Sequence, residues 1–280
     1  MTATLIAMAL ASAFLHAVWN TLAKKVGGDS GTLWLGQLLA ALISFPVVLW
    51  RVDWGTVDFG AMSYLAATGL NQAVYFLLLG KAYEKGDISV VYPVARGGCV
   101  ALVGVSSVLL LKETFTLAGA LGILAVCVGT TLMGLGGNKA DSRRSIAYAL
   151  GVAGLLATGS MIDNVAVSRL DPLFYIWCLF VVGTSLQLPF MLARRRPEMR
   201  RAWRERKTIG ATIGLVSMVS YLIVLYAFRD GPVAYIVAMR ESSVVFGAAM
   251  GFFVLQERVT RQRLAGVAAI VAGLVCLRLA

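Results

Sequence analysis

The sequence predicts an all-α membrane protein of ten transmembrane helices arranged as a five-plus-five inverted repeat. Three observations carry that prediction. Hydrophobic residues make up 59% of the 280-residue chain and charged residues 14%, with a mean hydropathy of +0.81. A soluble chain would carry roughly a quarter charged side chains to solvate its surface. Apolar stretches of about 20 residues, the length that crosses a hydrocarbon core of about 30 Å, recur along almost the whole chain. Finally, a shift of 144 residues lays one half of the sequence on the other.

The expected spans run 2–23, 31–50, 59–80, 88–111, 115–135, 146–168, 171–193, 208–228, 232–255 and 260–279. The first contains Ala11-Ser12-Ala13, which looks like a signal-peptidase site. No basic residue precedes it and nine further spans follow, so it is expected to stay as a helix. Short loops rich in turn residues separate the spans, as in "KKVGGDSG" (24–31), "EKGD" (84–87), "RLDP" (169–172) and "RDGP" (229–232). The longest basic connection, "RRRPEMRRAWRERK" (194–207), is expected as a loop lying along anionic headgroups. Cys99, Cys127, Cys178 and Cys276 fall inside spans without paired short spacing, which predicts neither a disulfide framework nor a zinc site. No cofactor is expected.

Net charge is +11, which in a soluble chain would point to nucleic acid. Here the basic residues gather on one side instead. The connections after the odd-numbered spans carry 18 Lys and Arg, and those after the even-numbered spans carry five. The positive-inside rule then places the 18-residue side in the cytoplasm and both termini outside an inner membrane.

The repeat is specific at the residue level. "YPVARGGCVALVGVSSVLLLKE" (92–113) lies over "IVAMRESSVVFGAAMGFFVLQE" (236–257), so Arg96 meets Arg240 and Glu113 meets Glu257. The same shift pairs Asn20 with Asn164, Gly122 with Gly266 and Gly129 with Gly273. Residues 1–140 and 141–280 are therefore read as two five-helix repeats of one membrane domain. An odd number of spans in each forces the second to enter the membrane inverted. Such inversion is a hallmark of secondary transporters whose site lies near the midplane, where the halves meet.

Four features taken together resemble a known family: "HAVWNTLAK" in the first span, "YPVARG" in the fourth, the Glu closing the fourth and ninth ("LLLKETFT", "VLQERVT"), and the Gly-spaced fifth and tenth spans. With the repeat, they are similar to the EamA branch of the drug/metabolite transporter superfamily over essentially the whole chain. The resemblance implies a ten-helix inner-membrane transporter, often an exporter of amino acids or related metabolites. It does not imply one substrate, since nucleotide sugars, phosphorylated sugars and cationic drugs are also handled within that superfamily.

Polar side chains inside hydrocarbon face a bundle interior or an aqueous cavity, so their positions nominate the path. Ser12, His16, Trp19 and Asn20 share one face of the first span. His16, the single histidine, is a candidate ligand or proton carrier, against the alternative of a hydrogen bond between helices. Asn71, Gln72 and Tyr75 in the third span suit a polar or zwitterionic solute, or interhelical bonding. Asp163 and Asn164 lie in the sixth; Asp163 has readings as arginine partner, ammonium acceptor, coupling-proton carrier or purely structural acid. Arg96, with Tyr92 one turn earlier, and Arg240, with Glu241 beside it, would make a positive cavity that binds carboxylate or phosphate bidentately. The competing reading is that the arginines snorkel or lock helices through Asp163, Glu241 and backbone carbonyls. Glu113 and Glu257 are expected in interfacial salt bridges, and the glycines of the fifth and tenth spans in close helix packing or a dimer face.

These residues fit a transporter of a small polar metabolite, monomeric or homodimeric, in a lipid bilayer. An exporter of lipophilic cations would need an unpaired Asp163 or Glu241. An intramembrane enzyme has only the faint "TGSM" (158–161), without G-x-S-x-G, and no P-loop is present to couple ATP hydrolysis.

Overall fold

The computed structural model describes residues 1–56, 58, 60, 62–85, 88–134, 142–255 and 260–280. Among them are twelve α-helices and no strand: α1 Ala3–Lys25, α2 Ser30–Arg51, α3 Met62–Lys85, α4 Ile88–Leu111, α5 Leu117–Gly134 and α6 Ser142–Val167, then α7 Pro172–Arg194, α8 Arg196–Glu205, α9 Lys207–Asp230, α10 Val233–Arg240, α11 Ser242–Leu255 and α12 Arg261–Leu279. Helices dominate because a chain in hydrocarbon must satisfy its backbone internally.

Among the described residues, eight stretches are long and apolar enough to cross a bilayer, and Leu117–Leu132 in α5 is a shorter apolar helix. The expected third span coincides with α3. The expected ninth span is long and apolar enough as one stretch, Val233–Val254, yet it is interrupted at Glu241 between α10 and α11.

Local chemistry sets the turns. Between α1 and α2, Gly27 and Gly28 adopt φ of +71° and +65°, a conformation that glycine enters without steric cost. Asp29 then caps α2 by accepting from the Thr32 amide at 2.9 Å. Asp171 likewise accepts from the amides of Leu173 and Phe174 at 2.8 and 3.1 Å, with Pro172 opening α7.

The halves are interlaced, and the pattern of packing is itself two-fold. The third helix of each repeat packs on the first of the other, α3 on α6 and α9 on α1. The fourth follows the same rule, α4 on α6 and α11 on α1, while α5 packs against α12. Two bundles result, α3/α4/α6 and α9/α10/α11/α1, each mixing both halves.

The glycines of the fifth and tenth spans are used within this chain. A Cβ at Gly122 would lie 2.9 Å from the Gly273 carbonyl oxygen, and one at Gly129 2.7 Å from that of Gly266. Between α2 and α9 the approach is closer, with a Cβ at Gly214 falling 1.9 Å from the Gly36 carbonyl oxygen. Such contact replaces side-chain packing where lipid gives no hydrophobic drive to associate.

The basic stretch at 194–207, expected as a loop, instead contains α8. Pro197 sits in its first turn, and its inner face is apolar: Ala202 is fully buried and Met199 packs with Trp34, Leu35 and Met191. Arg201 reaches Asp29 at 2.7 Å, and the Ser30 hydroxyl donates to Glu198. Partial burial raises the affinity of Asp29 for a proton, but the bonds from Thr32 and Arg201 outweigh it and hold its pKa below the ordinary aspartate value.

Two predictions follow from this packing. Gly214→Ala should lower the thermal midpoint in detergent, costing about 1–3 kcal/mol as overpacked sites do, whereas Gly154→Ala, where a Cβ meets nothing within 4 Å, should not. For Asp29, the depressed folded pKa gives a stabilisation that is complete above the ordinary aspartate range near 4 and is lost as pH falls through the depressed value. An Asp29→Asn protein should lose that acid-dependent step in a pH series of melting curves.

Candidate functional site

At Glu241 the backbone changes from α-helical to tighter bonding. The Glu241 amide donates to Ala238 O at 3.1 Å, and the Val244 amide to Glu241 O at 2.9 Å. Tight turns inside a long helix mark hinges, and interrupted helices of this kind form the midplane sites of inverted-repeat transporters. Arg240 and Glu241 flank the break.

Glu241 is turned towards α4 and holds Arg96. Arg96 Nη2 lies 2.6 Å from Glu241 Oε1, and Nε donates to Oε2 at 3.3 Å, the two-point geometry that suits a guanidinium to a carboxylate. The acid side chain is 3% exposed and the arginine 18%, so the bridge is approachable from the arginine side. It also joins the two bundles, since α4 belongs to one and the α10–α11 break to the other.

Arg240 does not pair with an adjacent acid. Its guanidinium lies 5.2 Å from the ring centroid of Tyr221 on α9, a cation–π contact. The Tyr221 hydroxyl donates to Asp163 Oδ2, and the Tyr175 hydroxyl donates to Oδ1 at 2.7 Å. Thr68 Oγ1 lies 2.8 Å from the Tyr175 hydroxyl. Thr68 Oγ1 also donates to Asp163 Oδ1 at 3.5 Å. The chain Arg240, Tyr221, Asp163 thus links cation to buried acid through a phenol, and it too spans the bundles. The second arginine is compensated at one remove.

The remaining candidates divide by what they touch. His16 meets Trp19 edge-on at 5.1 Å between ring centroids and lies within electrostatic range of Arg240 and Arg96. Asn20 donates to the His16 carbonyl at 2.7 Å within its own helix. Asn164 donates across the bundles to Phe228 O at 2.9 Å, and Asn71 donates to Leu155 O at 3.0 Å, joining α3 to α6. Tyr75 is half-buried on α3, and Gln72 is exposed there. The Tyr92 side chain and Glu257 lie outside the described residues. Among the described residues, no three His, Cys, Asp or Glu side chains gather as metal ligands.

Glu113, expected in an interfacial salt bridge, instead accepts from the Val233 amide at 2.8 Å. It caps α10, where an acid is favoured by the free amides of a helix start. Its Oε2, the Tyr235 hydroxyl and Ser242 Oγ are buried without hydrogen-bond partners among the described residues. Thr68, Tyr175 and Tyr221 were not nominated from sequence. Phenols and hydroxyls within apolar spans were the available signal, but nothing local says that they converge on Asp163.

The buried bridge makes a thermodynamic prediction. Removing one partner of a buried ion pair costs about 3–5 kcal/mol, while removing both together is far milder. Arg96→Gln and Glu241→Gln should therefore each lower the thermal midpoint more than the Arg96→Gln/Glu241→Gln double variant. Additive losses in that cycle would mean that the two side chains do not compensate one another.

Comparison with known proteins agrees with this architecture. A family model described as the EamA-like transporter family matches twice, at residues 3–135 and 143–279. A solved structure described only as the crystal structure of a protein superposes with a TM-score of 0.75 at 16% identity, covering 100% of this chain and 98% of that one. That likeness speaks to the fold alone. No curated protein matches.

Proposed function

The chain belongs to the EamA-like transporter family, within the drug/metabolite transporter superfamily, and on that premise we propose that it moves a small polar metabolite across the inner membrane by alternating access. The solute is an amino acid or a related carboxylate- or phosphonate-bearing compound, and the direction is export or exchange. Members of this family are transporters rather than enzymes.

One observation carries the reading. The Arg96–Glu241 bridge crosses between bundles at a helix break, so a solute carboxylate that takes the Arg96 fork also loosens the contact holding the bundles together. Arg240, with Tyr221 and Asp163 behind it, offers the second cation. His16 lies within electrostatic range of both and is the proposed proton-linked group. Trp19, Asn20, Tyr92, Asn71, Gln72, Tyr75 and Asn164 are proposed as polar lining around this centre. The basic bias supports a reading with α8 on the cytoplasmic side and both termini outside. Export of lipophilic cations is disfavoured because Asp163 and Glu241 are already engaged, by two tyrosines and by Arg96.

The test is ligand-induced thermal stabilisation of purified protein across amino acids, phosphonates, sugar phosphates and lipophilic cations, since a ligand of the folded state stabilises it. Carboxylates or phosphonates should raise the midpoint of the wild type and fail to raise that of the Arg96→Gln/Glu241→Gln double variant, which keeps its buried charge balanced. Stabilisation by lipophilic cations that survives in the double variant would overturn the assignment. In proteoliposomes, His16→Gln should flatten the pH dependence of transport; an unchanged profile would return His16 to a packing role.

A further inference from the structure

Helix α8 sorts its residues by face. Ala202 and Met199 turn inward onto Trp34, Leu35 and Met191, and on the same side Glu198 and Arg201 are spent on Ser30 and Asp29. Arg196, Arg200, Trp203 and Arg204 recur at i, i+4, i+7 and i+8, and all four are exposed. They form one stripe of a helix. Lys207 Nζ lies 4.7 Å from the Trp203 ring centroid, and among the described residues no acid pairs with Arg196, Arg200 or Arg204.

The position of this stripe is set by the spans on either side. α7 ends at Arg194 and α9 begins at Lys207, so α8 lies where hydrocarbon gives way to headgroups, the depth that tryptophan favours. Guanidiniums bind phosphate with a matching fork, and anionic leaflets attract basic segments at their surface.

We propose that the outer face of α8, built from Arg196, Arg200 and Arg204 around Trp203 and joined by Lys207 at the start of α9, binds the headgroups of anionic phospholipids. The surface is separate from the solute path. Through Asp29 and Ser30 it grips the start of α2, which packs closely on α9, so the lipid holds the side of the molecule that contains the α9/α1 bundle.

The full-length protein in neutral detergent is offered equal phosphatidylglycerol and phosphatidylcholine with matched acyl chains, and retained lipid is read by native mass spectrometry. The wild type should retain phosphatidylglycerol roughly tenfold or more over phosphatidylcholine, with a preference that shrinks as salt rises. Arg196→Gln/Arg200→Gln/Arg204→Gln should fall to parity with an unchanged lipid-free melting temperature. Arg229→Gln, at the other end of α9, should keep the full preference. Equal retention of both lipids by the wild type would sink the proposal, as would an undiminished preference in the triple variant. Displacement of the lipid by soluble glycerophosphate or a short RNA at equal concentration would also defeat it, by making the stripe a general polyanion site.

Discussion

A guanidinium in hydrocarbon needs a carboxylate within reach, and much of this molecule is arranged around that need. An arginine near the bilayer centre costs about 2.5–3.5 kcal/mol even on insertion scales, and an unpaired buried acid is no cheaper. Arg96 and Glu241 each supply what the other lacks, at 2.6 Å. Because they stand on different bundles, charge compensation and bundle contact are the same event. A solute that separates the bundles has to replace a partner on each ion, which is why a carboxylate-bearing and preferably zwitterionic solute suits the proposed path.

The interlaced packing gives that event its mechanical setting. The moving units of the proposed alternating access are not the two halves of the sequence. They are α3/α4/α6 and α9/α10/α11/α1, each holding helices from both halves. The Arg96 bridge, the Tyr221–Asp163 bond and the Asn164 bond to the Phe228 carbonyl all cross this boundary. Ser12 and Ser220 do the opposite: each hydroxyl donates to the other's carbonyl, at 2.8 and 2.9 Å, tying α1 to α9 within one unit. Polar bonds thus both define the units and connect them.

Much of this was legible in the sequence because hydrocarbon makes polar residues conspicuous. Arg96, Arg240, Asp163, Asn164 and Glu241 stood out against apolar surroundings, and the 144-residue shift related the two arginines before their helices were known. What escaped were features decided by tertiary contact. Tyr175 and Tyr221 are ordinary residues of apolar helices until the fold aims their hydroxyls at one acid. Gly97 and Gly98, next to Arg96, admit Thr130 and Ala153 at close range while α4 runs on unbroken. The interruption falls in the other repeat, at Glu241, where no Gly or Pro announces it. In the sequence, the charges of α8 mask the short apolar face that docks on α2.

The partners of α1 have a consequence for how the chain is made. α1 packs on α9, α10 and α11, which leave the ribosome late, so for most of synthesis the first helix stands in the bilayer without them. Its polar groups must tolerate that wait. Asn20 does so by bonding back to the His16 carbonyl of its own helix, a bond available before any neighbour arrives. Ser12 has to exchange whatever provisional partner it finds for Ser220. Contacts of such long sequence separation form late, so the bundle that carries Arg240 closes only when the final hairpins are in place, and a chain truncated before α9 would leave α1 without its packing surface.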